Sequence, residues 1–272
     1  MNKVIMIVLD GLRRDTARTQ MGYVNHLVES SKASYYKVQS ELPSLSRPLY
    51  EVLLTGTPSS VNGITANHIV RLSDRKSIFH LAGEKGLKTT AAAYYWVSEL
   101  YNRAPFDRIA DREQHDGNMP IQHGKFYFED SYPDSHLFAD AEVLRRQWDP
   151  DFLLIHPMGI DDAGHRFGSD SREYRAKALE ADSILATLLP GWMQLGYTIL
   201  ITSDHGMNRD GYHGGTGPDE RDVPLYVIGT SFEPGIYEET IPQLAVAPLV
   251  CNLLSLPLAE GMLRYAFPGV RL

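Results

Sequence analysis

KVIMIVLD, residues 3–10, is the stretch whose reading decides the fold. From Val4 to Leu9 every residue is apolar, and Val4, Ile5, Ile7 and Val8 are β-branched. A short, unbroken run of this kind is a strand buried on both faces, as in a parallel sheet covered by helices on either side. It is too short to cross a bilayer, and Asp10 ends it without a small-residue cleavage site, so we expect a soluble, cytoplasmic chain without a membrane partner. Four further runs repeat the pattern: LKTTAAAYY at 87–95, DFLLIHP at 151–157, YTILITSD at 197–204 and VPLYVIG at 223–229.

Helical patterns separate these runs. Ser77 to Lys85 reads as a helix stopped by Gly86, Ser135 to Trp148 as a second, and Ser171 to Leu189 as a third with its charges on one side. Alternating strands and helices predict an α/β fold, a mostly parallel central sheet flanked by helices on both faces. Ile109 to Pro133 carries no periodicity and reads as an irregular excursion near the ligand face. GEKGLKT at 83–89 lacks the glycine spacing of a phosphate-binding loop and reads as a helix stop leading into a strand.

With 272 residues, 43% hydrophobic and 22% charged, the composition is that of a globular chain, and residues 1–272 read as a single domain. Lys plus Arg is 26 against 34 Asp plus Glu, a formal charge of −8, which argues against binding duplex nucleic acid. The lone Cys251 can form no intramolecular disulfide and reads as a buried thiol in the helical segment PQLAVAPLVCNLLSL.

Function enters through position. Asp10, Asp204 and the Asp161/Asp162 pair each lie at or just past the carboxyl end of a predicted strand, the edge where open α/β sheets bind ligands. One such acid is commonly a helix cap. Three together point to a cation. In GIDDAGHRFG, Asp161 and His165 are four apart, so one helical turn aims both at one point. In TSDHGMNRDGYHGG, Asp204 and His205 converge if the strand has ended by Gly206, and His213 follows in a loop able to fold back. Asp10, Asp161, His165, Asp204, His205 and His213 supply ligands enough for two ions, and mixed carboxylate and imidazole ligation favours zinc or manganese. Three carboxylates and two divalent ions leave a net positive pocket, suited to phosphate or sulfate. Asp162 and Asp222 are candidates to orient ligand histidines, or simple caps.

In LPSLSRPLYEVLLTGTP, Pro48 suits a first helical turn and Gly56 its C-terminal cap, so Ser46 is expected at the N-cap. A capping serine is the plain reading. The same place sets a hydroxyl beside unpaired N–H groups and the positive helix end, which favour an alkoxide and a phosphoryl group. Arg13 and Arg14 could approach a phosphate or simply begin a solvated helix. Tyr94, Tyr95, Trp96 and Tyr101 could stack a base or alcohol group, or pack the core.

VLDGLR at 8–13, SRPLYEVLLTG at 46–56 with NGI at 62–64, DDAGH at 161–165, SDHGM at 203–207 and HGG at 213–215 together resemble the alkaline phosphatase superfamily, and within it the nucleotide pyrophosphatase/phosphodiesterase group. The resemblance implies one metal held by Asp10, Asp204, His205 and the Ser46 hydroxyl, and a second held by Asp161, His165 and His213. It also implies that Ser46, nine residues before Thr55 of the TG pair, is the nucleophile of a phosphoserine route. Group members usually carry Thr there and an Asn three residues on. Here Leu49 stands in that second place, so the phosphate grip must differ, with Asn67 a candidate and a turn Asn its plain alternative.

Sulfatases of the superfamily need CxPxR or SxPxR, and Tyr50 occupies the Arg position, which demotes that reading. HGGTGPDERDVPL at 213–225 is similar to segments of cofactor-independent phosphoglycerate mutases and keeps phosphomonoester chemistry open. The expectation is therefore a binuclear metal-dependent hydrolase of small phosphate esters, of phosphodiesterase or nucleotide pyrophosphatase type. The alternatives are a sulfatase or phosphomonoesterase of the same superfamily, or a non-catalytic metal- or anion-binding protein.

Overall fold

The computed structural model describes residues 3–271. The strands are β1 (Lys3–Val8), β2 (Ser34–Gln39), β3 (Thr89–Tyr94), β4 (Glu113–His115), β5 (His123–Tyr127), β6 (Phe152–Ile155), β7 (Tyr197–Thr202), β8 (Asp222–Ile228) and β9 (Gly235–Pro242). Helices in the first half are α1 (Arg14–Gln20), α2 (Gly22–Glu29), α3 (Ser46–Thr55), α4 (Ser59–Asn62), α5 (Ile78–Glu84) and α6 (Trp96–Tyr101). In the second half they are α7 (Asp134–Trp148), α8 (Gly159–Phe167), α9 (Arg172–Gln194), α10 (Pro218–Arg221) and α11 (Val246–Leu253).

All nine strands form one sheet in the order β4-β5-β3-β6-β1-β7-β8-β2-β9. The centre, β5-β3-β6-β1-β7, is parallel, whereas β8 is antiparallel to β7 and β2, and β4 is antiparallel to β5. The sheet is thus mostly parallel, with antiparallel pairs toward both margins. β1 shows why the sheet needs two covering layers. Val4, Met6 and Val8 pack in one core with side chains of α3, α5, α6 and α11, while Ile5, Ile7 and Leu9 pack in another with α1, α2, α7 and α9. Successive strand residues point to opposite faces, so a continuous apolar run is what a doubly covered strand requires. Each fully buried Val, Ile or Met of this kind contributes about 1.5–3 kcal/mol through water excluded from its surface.

Four departures from the sequence expectation have local causes. The excursion at 109–133 is not wholly irregular: it contains β4 and β5, short and polar pieces completed by pairing at the sheet margin. β2 and β9 lack the continuous apolar pattern, because Lys37 interrupts the first and Glu238 and Glu239 the second. β9 is a margin strand, where outward charges discourage pairing with another molecule. α9 continues past Pro190 to Gln194, because Leu185, Leu189 and Trp192 remain on one buried face despite the lost N–H donor. Cys251 is buried in α11, as its sequence setting implied. Among the described residues no helix is long and apolar enough to cross a membrane.

Candidate active site

β6, β1 and β7 are neighbours, and their carboxyl ends assemble the site. Val8 is in register with Thr202, so Asp10 and Asp204, each two residues further on, emerge side by side. Gly11 makes the close approach possible. It has φ +72°, and a Cβ there would stand 2.9 Å from the Cα of Asp161. Gly11→Ala should therefore cost about 1–2 kcal/mol for the left-handed backbone alone, with a further loss from displacing Asp161. A melting curve and a metal count on the variant check this, and an unchanged pair of values would show the approach to be tolerant.

α8 follows β6 and presents Asp161 and His165 one turn apart, with His165 Nε2 3.3 Å from Asp161 Oδ2. The loop between β2 and α3 stitches the parts together. Ser40 donates to the carbonyl of Asp204, Ser44 donates to the carbonyl of Gly215, and the Ser44 carbonyl accepts from His213 Nδ1 at 2.8 Å.

Two clusters result. In the first, His205 Nδ1–H donates to the carbonyl of Gly206 at 2.9 Å, so Nε2 presents its lone pair inward. Around that nitrogen lie Ser46 Oγ at 3.0 Å, Asp204 Oδ2 at 3.3 Å and Asp10 Oδ1 at 3.4 Å. A tetrahedral shell with arms of about 2.0–2.1 Å has edges of roughly 3.3–3.4 Å, so these separations suit ligands around one divalent ion. In the second, His165 Nδ1 and His213 Nδ1 are spent on the carbonyls of Gly211 and Ser44, and their Nε2 atoms face each other at 3.1 Å beside Asp161. His205 and His213 stack at 3.7 Å, joining the clusters. Asp10, Asp204 and His205 are wholly buried, whereas the His165 side chain is 45% exposed, so the second cluster is the solvent-facing one.

The electrostatics ask for positive charge. Burial, then the charges of Asp10 and Asp161, push the Asp204 carboxyl well above its ordinary range, and burial followed by Asp10 raises Asp161. Burial would raise Asp10 too, but the His156 hydrogen bond, the neighbouring His205 and His156 and the Tyr50 hydroxyl together carry it below the usual carboxylate range. The Asp161 hydrogen bond, opposed by burial, lifts His165 to about 9, while burial and then His205 press His213 down to about 4. Asp10 Oδ1, Asp161 Oδ1 and Asp204 Oδ2 are buried without a hydrogen-bond partner. Unpaired buried carboxylate oxygens are costly unless a cation meets them. The donor set therefore fits divalent metal ions.

All seven candidate ligands, Asp10, Ser46, Asp161, His165, Asp204, His205 and His213, are thus brought together. Other expectations are corrected. Ser46 is the first residue of α3, not its cap, which is Leu45. Free main-chain donors at that helix end are fewer than expected: Pro48 has none, and the Arg47 N–H is taken by Asn67 Oδ1 at 3.1 Å. Asn67 therefore lies beside the residue following Ser46, with its carbonyl engaged and its NH₂ left to donate. Asp162 pairs with Arg166 at 3.3 Å and Asp222 with Lys37 at 2.7 Å, so neither orients a ligand histidine. Arg13 is held by Asp15, Ser169 and Asp170, and Arg14 by the hydroxyl of Tyr35. Tyr94 packs against Tyr95 and Trp96, and Tyr101 donates to Glu51 at 2.7 Å.

Sequence reading missed His156 and Tyr50, both of which contact Asp10. His156 satisfied the strand-end criterion that singled out Asp10, since it directly follows β6.

Fold and site together define a class, an alkaline phosphatase-like α/β domain equipped for phosphoester chemistry. A family model for type I phosphodiesterase / nucleotide pyrophosphatase matches residues 4–210, and the chain belongs to that family. Among solved structures it is similar to murine ectonucleotide pyrophosphatase / phosphodiesterase 5 in complex with AMP. That match has TM-score 0.75 and 15% identity, covering 95% of this chain and 96% of the other. A chain from Bacteroides thetaiotaomicron glycosaminoglycan metabolism is also similar, with TM-score 0.71 and 13% identity, over 93% of this chain and 72% of that one.

Curated relatives include GPI ethanolamine phosphate transferase 2 of Candida albicans, 25% identical over 96% of this chain and 31% of the relative. The catalytic subunit of the Homo sapiens transferase 2 is 26% identical over 95% of this chain and 27% of its own length. The chain thus spans about a third of the length of these relatives.

Proposed function

We propose that this chain cleaves phosphodiesters of the nucleotide pyrophosphatase type through a phosphoserine on Ser46. The observation that carries the reading is Ser46 Oγ, 3.0 Å from His205 Nε2 at the amino end of α3, among three carboxylates with unpaired inner oxygens. Asp10, Asp204, His205 and Ser46 would hold one divalent ion, and Asp161, His165 and His213 a second. Bound there, such ions supply Lewis-acid polarisation of phosphoryl oxygens and ease ionisation of a hydroxyl or water.

The residues of the chain do the rest. α3 aims Ser46 Oγ into the cluster, and its positive end favours the incoming phosphoryl oxygens. The NH₂ of Asn67, its carbonyl being held by the Arg47 N–H, donates to a nonbridging oxygen. Ser46 gives up its hydroxyl proton to solvent and its Oγ bonds to phosphorus as the bond to the leaving oxygen breaks, and the alcohol departs with a proton from solvent. Water entering from the exposed His165 side then attacks the phosphoserine and restores the hydroxyl. Two in-line displacements give retention at phosphorus.

A second reading, in which an alcohol replaces that water, is favoured by relatives described as ethanolamine phosphate transferases. We expect turnover of a chromogenic aryl phosphodiester with added zinc or manganese, in excess of aryl monoester and aryl sulfate run alongside. Adding ethanolamine separates the two readings, because a new diester among the products marks transfer. Preference for the sulfate would move the assignment to a sulfatase, and turnover of none of the three would leave a binding protein.

A further inference from the structure

Asp10 differs from the other acids of the site in how its far oxygen is held. Its Oδ2 accepts the hydroxyl of Tyr50 in a very short contact and the Nε2–H of His156 at 3.1 Å, whereas its Oδ1 has no hydrogen-bond partner and faces His205. On Asp204 the bonded oxygen is held by the main-chain N–H of Gly11 and by the adjacent Ser203. On Asp10 the two donors are side chains from separate elements. Tyr50 is 2% exposed and His156 1%, and their rings meet edge-on at 4.5 Å. His156 Nδ1 is buried without a partner, so the ring spends its hydrogen bonding on Asp10 alone.

A carboxylate with both oxygens free can rotate, or grip an ion with both. Two donors on one oxygen fix its plane and leave the other as a single ligand. Tyr50 is also one helical turn beyond Ser46, on the same face of α3. Its bond to Asp10 therefore sets the distance between the nucleophile's helix and the end of β1.

We infer that Tyr50 and His156 are a positioning pair, which locks Asp10 as a one-oxygen ligand and registers the Ser46 helix against the first metal cluster. The inference rests on reading that cluster as a cation site.

The test uses the full chain stripped by a chelator and titrated with zinc against a chromogenic competitor, with far-UV circular dichroism to check folding. Wild type should bind two equivalents. Tyr50→Phe, which removes one oxygen, and His156→Leu should each weaken one binding step by roughly 10–100-fold and leave the other unchanged. His156→Gln keeps an N–H donor near the Nε2 position and should recover most of the loss. Zinc binding by Tyr50→Phe and His156→Leu within twofold of wild type would overturn the pairing while leaving the cation site standing. Gln no better than Leu at position 156 would overturn the part given to His156. Wild type that takes up no zinc would remove the cation site, and the pair's role with it. Should His156→Leu fail to fold, Tyr50→Phe against wild type still decides.

Discussion

Ser46→Ala is expected to lower turnover of an aryl phosphodiester by about four orders of magnitude or more, the scale on which losing a covalent nucleophile acts, while bound metal stays nearly unchanged. The asymmetry follows from the site's construction. Asp10, Asp204 and His205 remain to hold the ion, and each is fixed by its own main-chain or side-chain bonds. The hydroxyl is different: the neighbouring Ser203 hydroxyl, which touches Asp204 Oδ1, is fully buried and tied to the carbonyl of His205 at 2.6 Å, so it does not replace Ser46. A single-turnover experiment with labelled substrate should trap label on the wild-type chain at Ser46 and none on the variant. Full activity in the alanine variant would reject the covalent route.

Removing metal should have the second large effect, on stability and turnover together. Asp161 and Asp204 would face the charged Asp10 in a pocket where burial and that charge already resist their ionisation. A ligand present at 1,000 times its Kd stabilises the native state by about 4 kcal/mol, which for a chain of this size is a melting shift of roughly 10 °C. We therefore expect chelation to lower Tm by that order and to abolish turnover, and zinc or manganese to restore both. The experiment also separates two roles for His205. Its Nε2 lies within hydrogen-bond reach of Ser46 Oγ, so without an ion it has the geometry of a general base. Turnover that survives chelation would assign it that role and displace the metal reading.

Periodicity made the parallel centre of the sheet legible, because a strand buried on both faces has to be apolar almost throughout, as VIMIV in β1, FLLI in β6 and ILI in β7 are. The margins were not legible. β4 has exposed polar residues and β9 carries the adjacent, exposed Glu238 and Glu239, and such pieces become strands only through the neighbours they pair with. The same division runs through the site. Asp10, Asp161, Asp204 and the histidines stood out because acids closing apolar strands have a local signature. Tyr50 did not, since a tyrosine on an apolar helix face looks like an ordinary core residue until Asp10 is seen beside it, and His156 carried the strand-end mark but not the neighbour that gives it a role.

From its sequence alone this chain determined its layering, the edge of the sheet that carries chemistry, and the residue types gathered there, because burial and strand ends leave marks within a few residues. Only the tertiary structure decided which oxygen of each acid is tied and which is left bare, that Asn67 rather than water covers the Arg47 N–H, and that α3 is pinned to β1 through Tyr50. Those are contacts between segments twenty to two hundred residues apart, and chain-local patterns carry no record of which distant partner will fill a given hydrogen bond.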